Sequence, residues 1–447
     1  MGKRYGTRRV LGLSAFLFLL AVSRGLSATD NDPDTIAKYL SGLTVPAVPA
    51  GAPSQILAPT PKPVEIRPAF PAVTPSPAPT FVPAPGSLIP RRRHSPGPTS
   101  RASAIPQPSV STLNSSTSQP GDNPWLTHSA ELDQAWKRTQ EQQLSGIANW
   151  APEFLGGAYQ ANTTMFYMFS GPDFLYAHAF FPNARTYIFC GNEPVGTPPD
   201  ISRIPPSALP VALANIRKSL ESVLNWSFFI TKDMKTDLTR TELSGTLPLL
   251  YVFLARLHCT IESVTPVAID RDGNVSEGEK GETAGVRIVF TSSPGSSQTL
   301  YYFCSDLSDD GVKATPGFLR FCERQGQGVS LLKAASYLMH EPGFSRVREF
   351  LLEHSSLILQ DDSGIPLRFL AEKQWNIRYC GRYTGPIDVF KKYWQPDLAD
   401  NYARQVSAPL PFGFGYQWQP DRSDVMIATP PEIGGQKLPA APTEILK

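Results

Sequence analysis

The chain has 447 residues, 45 of them proline and 5 cysteine, with 41% hydrophobic and 18% charged residues and a formal net charge of +2. That composition excludes a transmembrane bundle, a collagen, a coiled coil and a small disulfide knot, and leaves room for one large or two smaller folded domains. Residues 1–28 carry +5, 29–45 carry −2, 46–120 carry +5 and 121–447 the remaining −6, so the folded part lacks the clustered Lys and Arg that nucleic acid requires.

Lys3, Arg4, Arg8 and Arg9 precede an apolar run from Val10 to Val22. Thirteen residues are too few to cross a bilayer core of ~30 Å as a helix, which takes about 20. They suit the h-region of a secretory signal peptide, with cleavage expected after Ser23 or Ala28. The expectation is export to the periplasm or beyond, with no transmembrane helix left after cleavage. A short segment, 29–45, follows, in which Ile36–Leu40 could form a small docking helix. Residues 46–120 then hold 19 prolines, interspersed with Ala, Ser and Thr. Such a stretch buries too little apolar surface to offset its chain entropy, so 46–121 is read as a disordered linker with polyproline II character.

The texture changes after Pro124. Leu132, Ala135 and Trp136 predict a helix face running to Leu144. Leu209, Leu213, Ile216, Leu220 and Leu224 form a helical stripe, with Ser207 as cap and Pro210 in the first turn. Further helices are expected over Leu243–Leu257, Phe344–His354 and Ile387–Trp394. Between them, Thr260–Ile269, Val286–Phe290 and Thr299–Phe303 are rich in β-branched and aromatic residues and read as strands. Met165–Phe169 with Thr186–Gly191, Val286–Phe290 with Leu300–Ser305, and Leu357–Leu359 and Leu367–Leu370 with Ile377–Gly381 echo one another, each ending in a cysteine and a small residue, and read either as unrelated buried strands, the favoured reading, or as a duplicated hairpin unit. Helices interleaved with a largely antiparallel sheet make an α+β domain over 122–430, with two subdomains envisaged to meet near 257 and a flexible tail at 431–447.

Five stretches resemble motifs of a family of predicted exported bacterial proteins. They are Ser170–Ala177 (SGPDFLYA), Phe180-Phe181-Pro182, Gln360–Pro366 (QDDSGIP), Gly381–Ile387 (GRYTGPI) and Phe412–Trp418 (FGFGYQW). The resemblance implies a single domain over Trp150–Trp418 and a bacterial source. It implies no activity.

Cys190, Cys259, Cys304, Cys322 and Cys380 lack CxxC spacing, which leaves packing or one or two disulfides among them and little basis for zinc or redox chemistry. No HExxH or GxSxG is present, and Asp270–Asn274 departs from a calcium loop at its sixth and twelfth places. No cofactor or metal is therefore expected. The acidic spots Asp173, Asp309-Asp310 and Asp361-Asp362 are either turn residues or a carboxylate site, with His178, His340 or His354 as proton-transfer partners. Phe412, Phe414, Tyr416 and Trp418 would share one face of a strand, with Tyr416 and Trp418 available to stack a ligand, and Trp394 a further ring of this kind. Two functions follow as expectations: a non-enzymatic exported protein that binds an envelope component or protein partner, or an envelope-acting hydrolase built on Asp173, Asp361 or Asp362 and a histidine.

Overall fold

The computed structural model describes residues 123–431 apart from 231–237, 239–241, 279, 293–295 and 406–408. The segments read as a signal peptide, a short 29–45 stretch and a proline-rich linker, and nearly all of the expected tail, lie outside the described residues.

Chain order begins with α1 (Pro124–Thr139), α2 (Ser145–Leu155), β1 (Thr164–Tyr167), α3 (Phe174–Phe180), β2 (Thr186–Gly191), α4 (Leu209–Trp226) and α5 (Leu247–Arg256). It continues with β3 (Thr260–Ile269), β4 (Val275–Glu277), β5 (Thr283–Thr291), β6 (Ser297–Cys304), α6 (Asp309–Ala314), α7 (Gly317–Glu323) and β7 (Gly328–Leu332). The last elements are α8 (Ser345–His354), β8 (Ser355–Gln360), α9 (Leu367–Glu372), β9 (Asn376–Gly381), α10 (Pro396–Arg404) and β10 (Asp424–Thr429). The three strands expected between Thr260 and Phe303 are present. The Leu209 stripe is the buried face of α4, and Phe344–His354 holds α8. Residues 388–393 form a 3-10 turn rather than an α-helix.

All ten strands join one sheet in the order β4-β3-β5-β6-β2-β1-β7-β8-β10-β9, which continues across position 257. Five of its nine pairings are antiparallel, as the α+β reading requires, and they lie toward the two ends. The four central pairings, β6-β2, β2-β1, β1-β7 and β7-β8, are parallel. This corrects the hairpin reading of Met165–Gly191: α3 connects β1 to β2, so the unit is a crossover.

The alternation of side chains along the central strands feeds two cores. Met165, Tyr167, Tyr187, Phe189, Val329 and Leu331 face a core shared with α2–α5. Phe166, Ile188, Cys190, Leu332 and Ile358 face the other, shared with α7 and α8. With both faces covered, these strands read as unbroken apolar runs, as buried parallel strands do.

That topology fixes where chemistry could be placed. From β1 the chain passes to β2 and β6 on one side, while β7 leads to β8 on the other. Loops leaving the carboxyl ends of β1 and β7 therefore diverge, and in open α/β sheets such a switch point is where a ligand crevice forms.

Candidate functional site at the carboxyl edge of the sheet

Four of the five motif stretches meet along this edge. Ser170–Ala177 leaves β1, Gln360–Pro366 leaves β8, Gly381–Ile387 leaves β9, and Phe412–Trp418 precedes β10.

Asp173 caps α3, accepting the Tyr176 backbone N–H at 3.1 Å through Oδ1. Its Oδ2 accepts the Tyr167 hydroxyl at 2.8 Å and lies 3.0 Å from Lys333 Nζ. Lys333, the first residue past β7, also donates to the Ser227 carbonyl and sits 4.1 Å from the centroid of the Tyr176 ring. Both members of the ion pair are shut off from solvent, at 1% and 2% side-chain exposure. Burial pulls the Lys333 ammonium below its usual range, opposed by the charge of Asp173.

Asp361 stands one strand along. Its Oδ2 accepts the Ala334 N–H at 2.9 Å, and its Oδ1 accepts the N–H (3.1 Å) and hydroxyl of Ser363. Asp362 turns the other way: its Oδ2 accepts the Tyr337 hydroxyl at 2.8 Å, while its carbonyl meets His340 Nε2 and Gln395 Nε2, each at 3.2 Å. Asp424, at the start of β10, is buried as well, and its Oδ2 has no partner among the described residues. Burial raises all three carboxyls, and for Asp362 and Asp424 the charges of neighbouring aspartates raise them further.

The backbone is strained around this cluster. Of the seven non-glycine residues with positive φ among the described residues, five lie in the loops that carry or contact it: Phe169, Ser227, Ala334, Ser336 and Tyr337. Each such residue costs on the order of 1–3 kcal/mol unless its surroundings hold it. Here the holding groups are visible. Asp361 binds the Ala334 N–H, Ser363 Oγ accepts the Ala335 N–H at 2.7 Å, and Ser336 shares a hydrogen bond with the Tyr416 hydroxyl at 3.1 Å.

Phe412–Trp418 is not a strand; it forms a turn with one isolated bridge between Phe414 and Gln417. The expected single aromatic face is therefore absent. Phe412 and Phe414 are buried, Tyr416 packs against Phe228, Tyr337 and Phe390, and Trp418 is half-buried. A tight backbone brings this turn onto the cluster. Gly415 has φ +69°, and a Cβ there would fall 1.8 Å from Asp361 Oδ2. The switch-point crevice is occupied by the chain's own turn.

The sequence-derived candidates separate accordingly. Asp173 and Asp361 approach the same ammonium, and Asp362 is adjacent. His178 does not join them; burial holds its imidazole down at about 4, and its Nε2 has no partner among the described residues. His340 meets the backbone carbonyl of Asp362 and packs edge-on against Tyr337 and Tyr393, and His354 binds the Phe350 carbonyl on α8. Asp309 accepts from Ser345 and the Arg346 backbone near the start of α8, away from the cluster. None of the five cysteines is in a disulfide, and no group of three metal-ligating side chains occurs among the described residues. No helix of the described residues is long and apolar enough to cross a membrane.

Sequence reasoning missed Lys333, Tyr167, Tyr337, Ser363 and Asp424. Lys333 carried a usable signal: it is a single cation closing the apolar run of β7, and a charge so placed is buried only if paired.

The fold and cluster together define a sheet with a doubly wound parallel centre whose crevice is closed by its own chain over a charged knot. Comparisons of the sequence with protein-family models and curated proteins, and of the fold with solved structures, returned no match.

The raised carboxyls make a pH prediction. The folded state keeps protons on Asp362 and Asp424 that the unfolded chain releases above about pH 4. Their contribution is thus fully present below the ordinary carboxylate range and is lost as pH rises through the raised values. Asp424→Asn removes one of these ionisations. Denaturant melts from pH 5 to 8 should show the variant gaining on the wild type as pH rises, by on the order of 1 kcal/mol. A wild-type advantage that grows with pH would contradict the assignment.

Proposed function

We propose that this is an exported, non-enzymatic protein whose folded domain binds a component of the cell envelope. The observation that carries the reading is the closed crevice: Asp173, Asp361 and Asp362 are each no more than 2% exposed, and all three are satisfied by donors of the same chain. General acid–base chemistry needs those groups within hydrogen-bond reach of a substrate. Here they tie three strand ends together instead. The signal-like N-terminus and the proline-rich stretch support an exported domain on a tether.

A second reading, an envelope-acting hydrolase, draws on the backbone strain and raised carboxyls, because both concentrate at functional sites. One experiment separates the two. The purified chain is co-sedimented with insoluble envelope material, and the supernatant is assayed for released fragments. Retention without release, equal in wild type and Asp361→Asn, is the expected outcome. Release by the wild type that the variant abolishes would overturn the binding reading in favour of the hydrolase.

A further inference from the structure

Outside the closed crevice, on the same edge of the sheet, the loops after β9 and before β10 enclose a recess of about 390 Å³ lined by Arg382, Thr384, Gln417, Asp421 and Arg422. We infer that this recess is a binding site for an oxyanion carried on a hydroxylated ring, such as a sugar acid or sugar phosphate. The inference rests on the binding reading above and names the ligand class for it.

Three observations support it. First, the two guanidinium groups rise from backbone segments that are fastened to each other. The Arg382 N–H donates to the Ser423 carbonyl at 2.8 Å, the Arg422 N–H to the Gln419 carbonyl at 2.9 Å, and Ser423 N–H to the same Gln419 carbonyl at 2.8 Å. Thr384 Oγ1 lies 3.5 Å from the Arg422 carbonyl. The two arginines thereby leave neighbouring stretches of backbone and both line the recess, where a pair of guanidiniums suits bidentate recognition of carboxylate or phosphate.

Second, neither arginine has a carboxylate within ion-pair distance among the described residues, although 121–447 is acidic overall. Arg203, Arg217, Arg256, Arg271, Arg287 and Arg320 are paired, whereas these two belong to the arginines whose charge is left for a ligand. Third, the remaining lining groups are a hydroxyl, an amide and one carboxylate. Asp421 leaves the recess with a net charge of +1 and offers an acceptor for ring hydroxyls, which a bare phosphate or a simple fatty acid would not use. The Gln417 side chain is oriented by its bond to the Gly385 carbonyl at 2.7 Å.

The test is calorimetric titration of the full chain with glucuronate, with glucose 6-phosphate and, as a neutral control, with glucose. Saturable binding of either anion and none of glucose is expected, and the anion that binds identifies carboxylate or phosphate as the source. Arg382→Gln and Arg422→Gln should each weaken binding about tenfold or more. Lys373→Gln, which loses only the exposed pair with Glu349, should leave it unchanged. Both arginines are exposed, so the variants are expected to melt like wild type. Absence of saturable binding for both anions, or equal binding by all variants, overturns the inference. Retention on envelope material in that event would leave the binding reading intact and move its contact elsewhere.

Discussion

Replacing Lys333 with alanine is expected to destabilise the domain by about 3–5 kcal/mol, the range for removing one partner of a buried ion pair. Asp173 is 2% exposed and would be left with only the Tyr167 hydroxyl and the Tyr176 N–H as partners. The Ser227 carbonyl would also lose its donor. Urea melts of the purified chain measure this directly, and loss of soluble protein is the extreme form of the same result. A Lys333→Met, Asp173→Asn double variant keeps the volume and removes both charges. It should recover a large part of the loss, since replacing a buried pair by neutral groups is often near neutral. A Lys333→Ala midpoint close to wild type would show that the knot contributes little.

The second large effect is expected at Gly415. An alanine there must adopt φ +69°, which costs about 1–2 kcal/mol for an L residue, and it must displace the Asp361 carboxylate. That carboxylate cannot move without giving up the Ala334 and Ser363 donors, at about 1–3 kcal/mol for each buried group left unsatisfied. A total of about 3–8 kcal/mol follows. Gly326 provides the comparison: it has φ +73° but nothing within 4 Å of its Cβ position. Gly326→Ala should therefore show the backbone cost alone. Equal losses at the two glycines would mean that the contact with Asp361 does not matter.

Much of the secondary structure was legible because helical stripes and β-branched runs leave a periodic trace: α4, α8 and strands β3, β5 and β6 lie where the pattern placed them. The parallel centre was not. Strands buried on both faces lose their alternation, so β1, β2 and β7 carry no mark of whether a neighbour runs with or against them. The candidate site was half legible. Asp173, Asp361 and Asp362 stood out as acids beside Gly, Ser and Pro, but what unites two of them is Lys333, 160 residues from Asp173 in number and joined to it only by the sheet order. The Phe412–Trp418 alternation misled because Gly415 turns the backbone into a conformation no strand contains.

The placement of β10 has a consequence for the order of events as the chain emerges. The strand comes last in sequence yet is inserted between β8 and β9, and the turn that covers Asp361 comes only a few residues before it. Until those residues are available, the approach of Gly415 to Asp361 is unmade and β8 and β9 have no strand between them. This end of the sheet therefore closes only once β10 has joined it, whatever has formed before. Any truncation that removes residues 412–429 would leave a species that cannot lock at all.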